Sequence, residues 1–243
     1  MINSMFSPVV RSWQAYRSDS LVYFRHFKCA SSSYLTLFQD TLHWKQICIT
    51  DINWDNDHVF SYIRDPYEKR ISGLAEYVCR IYKEENVHDY NHHKFLELIN
   101  HPYFPRIIAR AFIIDDHSLP IYNILGTNAE LVDWIPIDVD AIDHGYLTLK
   151  LLNLHGIDID PPIMKNISRN NVSTGYKKEF MNQIKNNPVP NLVVSDLDYD
   201  NILYSHVLDF IDPEKNTWKE ISWLKVRDTM TREIDVNRQQ EGW

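Results

Sequence analysis

The sequence predicts an α/β protein with a mostly parallel central sheet flanked by helices. Segments rich in β-forming residues alternate along the chain with longer segments in which apolar residues recur at helical spacing. Such alternation is typical of the β-α-β units that build parallel sheets. The 243 residues are 44% hydrophobic and contain no internal repeat, so we expect a single domain over residues 1–243.

The first strand–turn–helix corner is predicted near residue 30. Residues 21–27 (LVYFRHF) are rich in β-formers and predict a strand, and residues 34–42 follow a helical apolar pattern. The turn between these elements holds one cation followed by small residues: Lys28, Ala30, Ser31, Ser32 and Ser33. Because N–H groups and the macrodipole at a helix N-terminus favour phosphate, the turn is a candidate anion site.

A second corner of the same design is predicted near residue 65. Residues 58–63 (HVFSYI) predict a strand that ends at Arg64. Residues 65–68 (DPYE) supply an N-cap Asp, a Pro at the first helical position and a Glu three residues after the cap. Ser72 lies about two turns into this helix. Ligands of parallel sheets bind beyond the carboxyl ends of the strands, where both corners would lie.

The later elements continue the alternation. Residues 131–137 (LVDWIPI) predict a third strand, and Asp138 is expected to cap a helix that ends just before Gly156. Further helices are predicted over residues 101–112, from about Tyr176, over residues 195–210, and as an accessory C-terminal segment over residues 213–243.

Composition excludes several classes of partner. The formal net charge of −8 argues against broad nucleic-acid binding, so an anionic ligand has to be held by a local cluster of donors. No apolar run is long enough for a membrane span, and the first residues have no apolar core of signal-peptide length. Cys29, Cys48 and Cys79 show no CxxC pairing, which favours free thiols in the cytoplasm.

Four segments resemble the sulfotransferase family. Residues 27–33 (FKCASSS) resemble its PK-x-G-[ST]-[ST]-[ST] loop, although Phe27 and Ala30 replace the proline and the glycine. Residues 63–72 (IRDPYEKRIS) closely resemble its RDPyeRxxS segment. Residues 115–120 (DDHSLP) look like the D-x-H-xx-P element of carbohydrate sulfotransferases, and the pair Asn166 and Ser168 with residues 198–204 (DYDNILY) is similar to the tail of that group.

This resemblance implies a P-loop-like sulfotransferase fold and 3′-phosphoadenosine 5′-phosphosulfate (PAPS) as sulfuryl donor, with no required metal. It implies a sugar hydroxyl as acceptor. The implied catalytic residues are Lys28, on the leaving oxygen, and His117, as general base. The implied donor-binding residues are Lys28 and Ala30 to Ser33 for the 5′-phosphosulfate, Arg64 and Ser72 for the 3′-phosphate, and Ser168 and Arg169 in a closing loop.

Other interpretations stay open on the residues alone. The Walker pattern GxxxxGK[ST] is absent, but a metal-dependent nucleotide kinase with a degenerate loop is an alternative. A nucleotide- or glycan-binding protein without turnover is another. Arg64 could instead form an ion pair with Asp65 or Glu68, and His117 could be a structural histidine. Residues 88–93 (HDYNHH) lack regular metal-ligand spacing, and we expect a solvated loop there.

Overall fold

The computed structural model describes residues 14–29, 34–85, 97, 101–103, 117, 119–140, 142–159, 198–212, 214 and 217–218, with the backbone alone at 78–85 and 217–218. The described strands are β1 (Gln14–Ser18), β2 (Leu21–Phe24), β3 (Lys45–Cys48), β4 (His58–Ile63), β5 (Val132–Pro136), β6 (Ile211–Asp212) and β7 (Thr217–Trp218). The described α-helices are α1 (Pro66–Glu85), α2 (Ile121–Leu125), α3 (His144–Leu154) and α4 (Asp198–Phe210).

The central sheet confirms the α/β class, but it is mixed. Its five strands lie in the order β3-β1-β2-β4-β5. The pairs β2–β4 and β4–β5 are parallel, whereas β1 pairs antiparallel with both β2 and β3. The prediction of a mostly parallel sheet is therefore corrected among the described strands. The reason is local: only Asp19 and Ser20 separate β1 from β2, and so short a connection permits only antiparallel pairing.

The parallel part of the sheet follows the sequence pattern closely. Strand β4 covers the predicted residues 58–63, and β5 lies within the predicted 131–137. Every residue of β2 is buried, as are residues 59–63 of β4, which is typical of parallel strands covered on both faces. Strand β2 ends at Phe24, three residues before the predicted end. The chain therefore turns earlier than expected and reaches Lys28 outside the sheet.

Helix α1 begins where the sequence predicts it. The backbone N–H of Glu68 donates to Asp65 Oδ1 at 2.8 Å, so Asp65 is the N-cap, and Pro66 is the first helical residue. Helix α3 instead begins later than predicted. Its cap is Asp143, whose side chain accepts from the N–H of Tyr146 at 3.0 Å. The predicted end holds, because Gly156 follows α3 with a positive φ of 71°.

Other predicted helices are only partly described. Residues 34–35 are helical and continue into a π-helical turn at Thr36–Thr41. Helix α4 confirms the helix predicted over 195–210. Within the predicted C-terminal helical segment, Thr217–Trp218 is a short strand paired with β6. The helix predicted from about Tyr176, and most of those at 101–112 and 213–243, lie outside the described residues.

A polar cluster lies at the amino-terminal end of the parallel strands. His58 begins β4, and its Nε2 pairs with the carboxylate of Asp133 on β5. His155, just after α3, places Nε2 at 2.8 Å from His58 Nδ1. The hydrogen bond to Asp133 raises the pKa of His58, while burial and the nearby His58 lower the pKa of His155. This cluster ties the end of α3 to the sheet.

Candidate functional site

The two predicted corners meet at the carboxyl end of the parallel strands. Strands β2 and β4 are parallel neighbours, so the segments that follow Phe24 and Ile63 leave the sheet at the same edge. Cys29 is fully buried there, close to the backbone of Arg64. Burial raises the pKa of the Cys29 thiol to about 12, so the sulfur stays protonated and serves packing. The Lys28–Cys29 turn is thereby fixed against the start of the second corner.

Lys28 has a left-handed backbone, with a φ of 64°. A side chain with a Cβ pays about 1–2 kcal/mol in this region, which glycine avoids. Lys28 lies within the turn at residues 27–29, and strained residues of this kind are often found at binding sites. The ammonium group of Lys28 forms an ion pair with the carboxylate of Glu76 on α1. Only 11% of the Lys28 side chain is exposed, so the charge lies within the edge of the fold.

His117 reaches the same carboxylate. Its Nε2 lies 3.7 Å from Glu76 Oε1, whereas Lys28 pairs with Oε2. The imidazole also packs against Phe27, with ring centroids 4.6 Å apart. The structure therefore brings together the two residues that the sequence analysis proposed as catalytic, and joins them through a third. Sequence reasoning missed Glu76, although its position one helical turn after Ser72 placed it near the predicted site.

Arg64 lies between two carboxylates at the end of β4. Its guanidinium is 3.9 Å from Glu68 Oε2 and 3.9 Å from Asp138 Oδ2. Both carboxylate oxygens of Asp138 already accept hydrogen bonds, one from the N–H of Asp65 at 2.7 Å and one from the hydroxyl of Tyr204 at 2.8 Å. Both ion pairs of Arg64 are longer than a hydrogen bond. Among the described contacts, the Arg64 guanidinium thus retains donors for a stronger anionic ligand.

Ser72 is buried within α1, with 3% of its surface exposed. It belongs to a fully buried stretch of the helix, residues 69–75, in which Lys69 and Arg70 carry charge. The predicted contact between Ser72 and a 3′-phosphate stays a prediction. The remaining predicted site residues lie outside the described residues: Ala30, Ser31, Ser32, Ser33, Ser168 and Arg169.

The first described residue after the predicted serine turn is firmly held. The ring of Tyr34 stacks on Tyr62 of β4 with centroids 3.6 Å apart. Its hydroxyl lies 2.6 Å from His144 Nδ1 at the start of α3. Burial raises the pKa of Tyr34 to about 12 and lowers the pKa of His144, so both groups are neutral near pH 7. The chain therefore leaves residues 30–33 at a fixed point of the scaffold.

Two buried charged side chains, Lys69 and Asp200, fix the chain just after His117. Lys69 Nζ donates to the carbonyl of Leu119 at 2.6 Å, and Asp200 on α4 accepts from the N–H groups of Ile121 and Tyr122 at 2.8 and 3.3 Å. Burial lowers the pKa of Lys69 and raises that of Asp200, and each charge opposes the shift of the other. Side chains of α1 and α4 therefore hydrogen-bond to the backbone of residues 119–122. These bonds limit the movement of His117, which lies two residues before Leu119.

The described part of the chain contains no group of three His, Cys, Asp or Glu side chains suited to hold a metal ion. Within the same residues, no helix has the length and apolar character needed to cross a membrane.

Comparison with known proteins gives no match to any family model, curated protein or solved structure.

Proposed function

We propose that the protein is a sulfotransferase of P-loop-like fold that moves a sulfuryl group from PAPS to a hydroxyl group of a carbohydrate. The observation that carries the proposal is the pairing of Lys28 and His117 on the single carboxylate of Glu76, beside the strand end that holds Arg64. These are the side chains that the motif resemblance selects from distant parts of the sequence. Their meeting at the carboxyl end of parallel strands supports a shared site.

The proposed reaction is an in-line displacement at sulfur. The acceptor oxygen forms a bond to sulfur while the bond from sulfur to the 5′-phosphate oxygen breaks, leaving adenosine 3′,5′-bisphosphate. Lys28 stabilises the charge that develops on that leaving oxygen. His117 takes the acceptor proton, since an imidazole accepts protons near neutral pH. Two side-chain cations meet the negative charge of the donor, so the proposal requires no metal ion.

Arg64 is assigned to the 3′-phosphate of the donor. Its two described ion pairs, at 3.9 Å, are loose enough for a phosphate with hydrogen-bonding oxygens to replace them. Asp138 stays where it is when Arg64 turns to the phosphate, because Asp65 and Tyr204 hold both of its oxygens. The predicted contacts of Ser31 to Ser33 with the 5′-phosphosulfate complete the donor site in this proposal.

A thermal-shift experiment without metal tests the proposal. Adenosine 3′,5′-bisphosphate at about a hundred times its Kd should add about 2.7 kcal/mol to the free energy of unfolding. For a protein of this size this raises Tm by about 5–10 °C. AMP, which lacks the 3′-phosphate, should stabilise the protein less. Arg64→Ala should weaken binding of the bisphosphate by about 1.5–3 kcal/mol and leave AMP binding unchanged.

The alternatives give different results in the same experiment. Equal stabilisation by AMP and the bisphosphate would overturn the assignment of Arg64. Stabilisation by ATP that depends on magnesium would favour a kinase. Turnover is then measured with PAPS and a panel of glycans. Binding of the bisphosphate with no transfer to any acceptor would favour a nucleotide- or glycan-binding protein.

A further inference from the structure

Glu76 is the most solvent-accessible member of the group that contains Lys28 and His117. Its side chain is 37% exposed, compared with 11% for Lys28 and 16% for His117. One carboxylate oxygen pairs with the lysine and the other faces the imidazole. An anion that arrives from solvent and reaches for Lys28 therefore competes with this carboxylate for the same ammonium group.

We propose that Glu76 is a positioning residue that takes the place of the donor phosphosulfate beside Lys28 and changes its partner from Lys28 to His117 during the reaction. This inference rests on the proposed function. Before the donor binds, the carboxylate pairs with the ammonium group of Lys28, as it does in the structure. When the donor arrives, its anionic oxygens take Lys28, and the carboxylate remains beside Nε2 of His117.

The change of partner follows the movement of charge in the reaction. Before transfer, Lys28 is cationic, His117 is neutral and Glu76 carries one negative charge. When the acceptor hydroxyl gives its proton to Nδ1 of His117, the ring becomes a cation with Nε2–H directed at Glu76. A carboxylate 3.7 Å from that nitrogen favours the cation, and does so more strongly as the proton arrives. The residue thus opposes donor binding but assists the transfer step.

Substitution of Glu76 would change nucleotide affinity in different directions, depending on whether Glu76 is a structural partner of Lys28 or a competitor of the donor. Removing a purely structural partner of Lys28 would loosen the turn and weaken nucleotide binding. Removing a competitor would strengthen binding, because the negative charge of the carboxylate no longer opposes the anionic donor beside Lys28. The two interpretations therefore predict opposite signs for the same substitution.

The test substitutes Glu76→Gln and Glu76→Asp, with Glu68→Gln as a matched control on the same helix. Glu68 lies 3.9 Å from Arg64 and so faces the proposed 3′-phosphate site. The probes are AMP, which has only a 5′-phosphate, and adenosine 3′,5′-bisphosphate. We expect Glu76→Gln to bind AMP about 5- to 10-fold more tightly than the parent, the scale of one partly buried ion pair. Glu68→Gln should leave AMP affinity unchanged.

Kinetics provide a second measurement. Glu76→Gln should lower kcat about tenfold although its KM for PAPS falls. Glu76→Asp keeps the charge on a side chain one carbon shorter, so its AMP affinity and kcat should lie between those of the parent and Glu76→Gln. If Glu76→Gln does not fold, this intermediate behaviour of Glu76→Asp supplies the test.

The outcomes separate this inference from the proposed function. AMP affinity in Glu76→Gln within twofold of the parent value, or weaker, would overturn the role of Glu76 as a competitor of the donor while the sulfotransferase proposal remains. An unchanged kcat would overturn the role towards His117. If neither the parent nor Glu76→Gln binds the bisphosphate or AMP, the proposed function fails and the inference fails with it.

Discussion

Asp200→Asn offers a demanding test of how the segment after His117 is held. The carboxylate of Asp200 is 1% exposed and accepts the N–H groups of Ile121 and Tyr122. It is also the negative charge that acts most strongly on the buried Lys69. Asparagine preserves the size of the side chain but removes the charge and replaces one acceptor oxygen with an NH₂ group.

The magnitude follows from what the substitution leaves behind. Removing one of two buried charges that act on each other costs up to about 3–5 kcal/mol, because the remaining charge loses its compensation. Asparagine can still accept one of the two backbone N–H groups, and Lys69 still donates to Leu119, so we expect the lower end, about 3 kcal/mol. For a protein of this size this loss lowers Tm by about 6–12 °C.

Urea unfolding measures this loss, with Asp198→Asn as the control. Asp198 is exposed in the first turn of the same helix, so its loss removes only a favourable charge at the helix N-terminus, about 0.3–1 kcal/mol. The double variant Lys69→Met with Asp200→Asn should be more stable than the sum of the single changes by at least about 1 kcal/mol.

Two results would contradict the predicted role of Asp200. If Asp200→Asn lost no more stability than Asp198→Asn, the buried charge would not hold the segment. Additive losses in the double variant would show that Lys69 and Asp200 do not act on each other.

The remaining predictions concern Lys28, the histidine pair at the amino-terminal edge of the sheet, and His117. Lys28→Gly should be more stable to urea than Lys28→Ala by about 0.5–1 kcal/mol, because glycine alone adopts a φ of 64° without strain; equal stability would contradict this. The pKa of His58 is raised beside Asp133, so the contribution of this contact to the free energy of unfolding is fully present below about pH 6.5 and is lost as the pH rises through the folded pKa. The free energy of unfolding of the parent should therefore exceed that of His58→Gln by a margin that shrinks between about pH 6 and pH 8. The pKa of His155 is lowered, so its effect on stability depends on pH in the opposite direction. The difference in free energy of unfolding between the parent and His155→Gln should shrink on acidification. His117→Ala should reduce turnover about 10²–10⁴-fold with unchanged binding of adenosine 3′,5′-bisphosphate, and normal turnover per folded molecule would place the base elsewhere.

The elements that could be predicted from sequence are those decided by local chemistry. Strand β4 is a short run rich in β-forming residues, and the DPYE segment carries its own helix start, so both were located to the residue. The hairpin partner β1 was missed. Only five residues long, it pairs with β3, whose residues lie about thirty positions further along the chain. Strand formation of that kind depends on the partner more than on propensity.

The start of α3 shows how a local signal can mislead. Asp138 and Asp143 are equally good caps by residue type. Asp138 is unavailable because Asp65 and Tyr204, which are 73 and 66 residues away, occupy its oxygens. The role of Glu76 was not predicted for a similar reason, because its contacts are with residues distant in the sequence. Its partners Lys28 and His117 come from distant segments, and its position one turn after Ser72 does not by itself indicate either contact.

The two buried residues that flank residues 30–33 have a consequence for protein engineering. Cys29 is fully buried, and Tyr34 is buried in contact with Tyr62 and His144. Substituting either residue would disturb the packed core and lower the free energy of unfolding. Attempts to tune anion affinity, for example with a glycine at position 30, should therefore keep Cys29 and Tyr34 and change only the sequence between them.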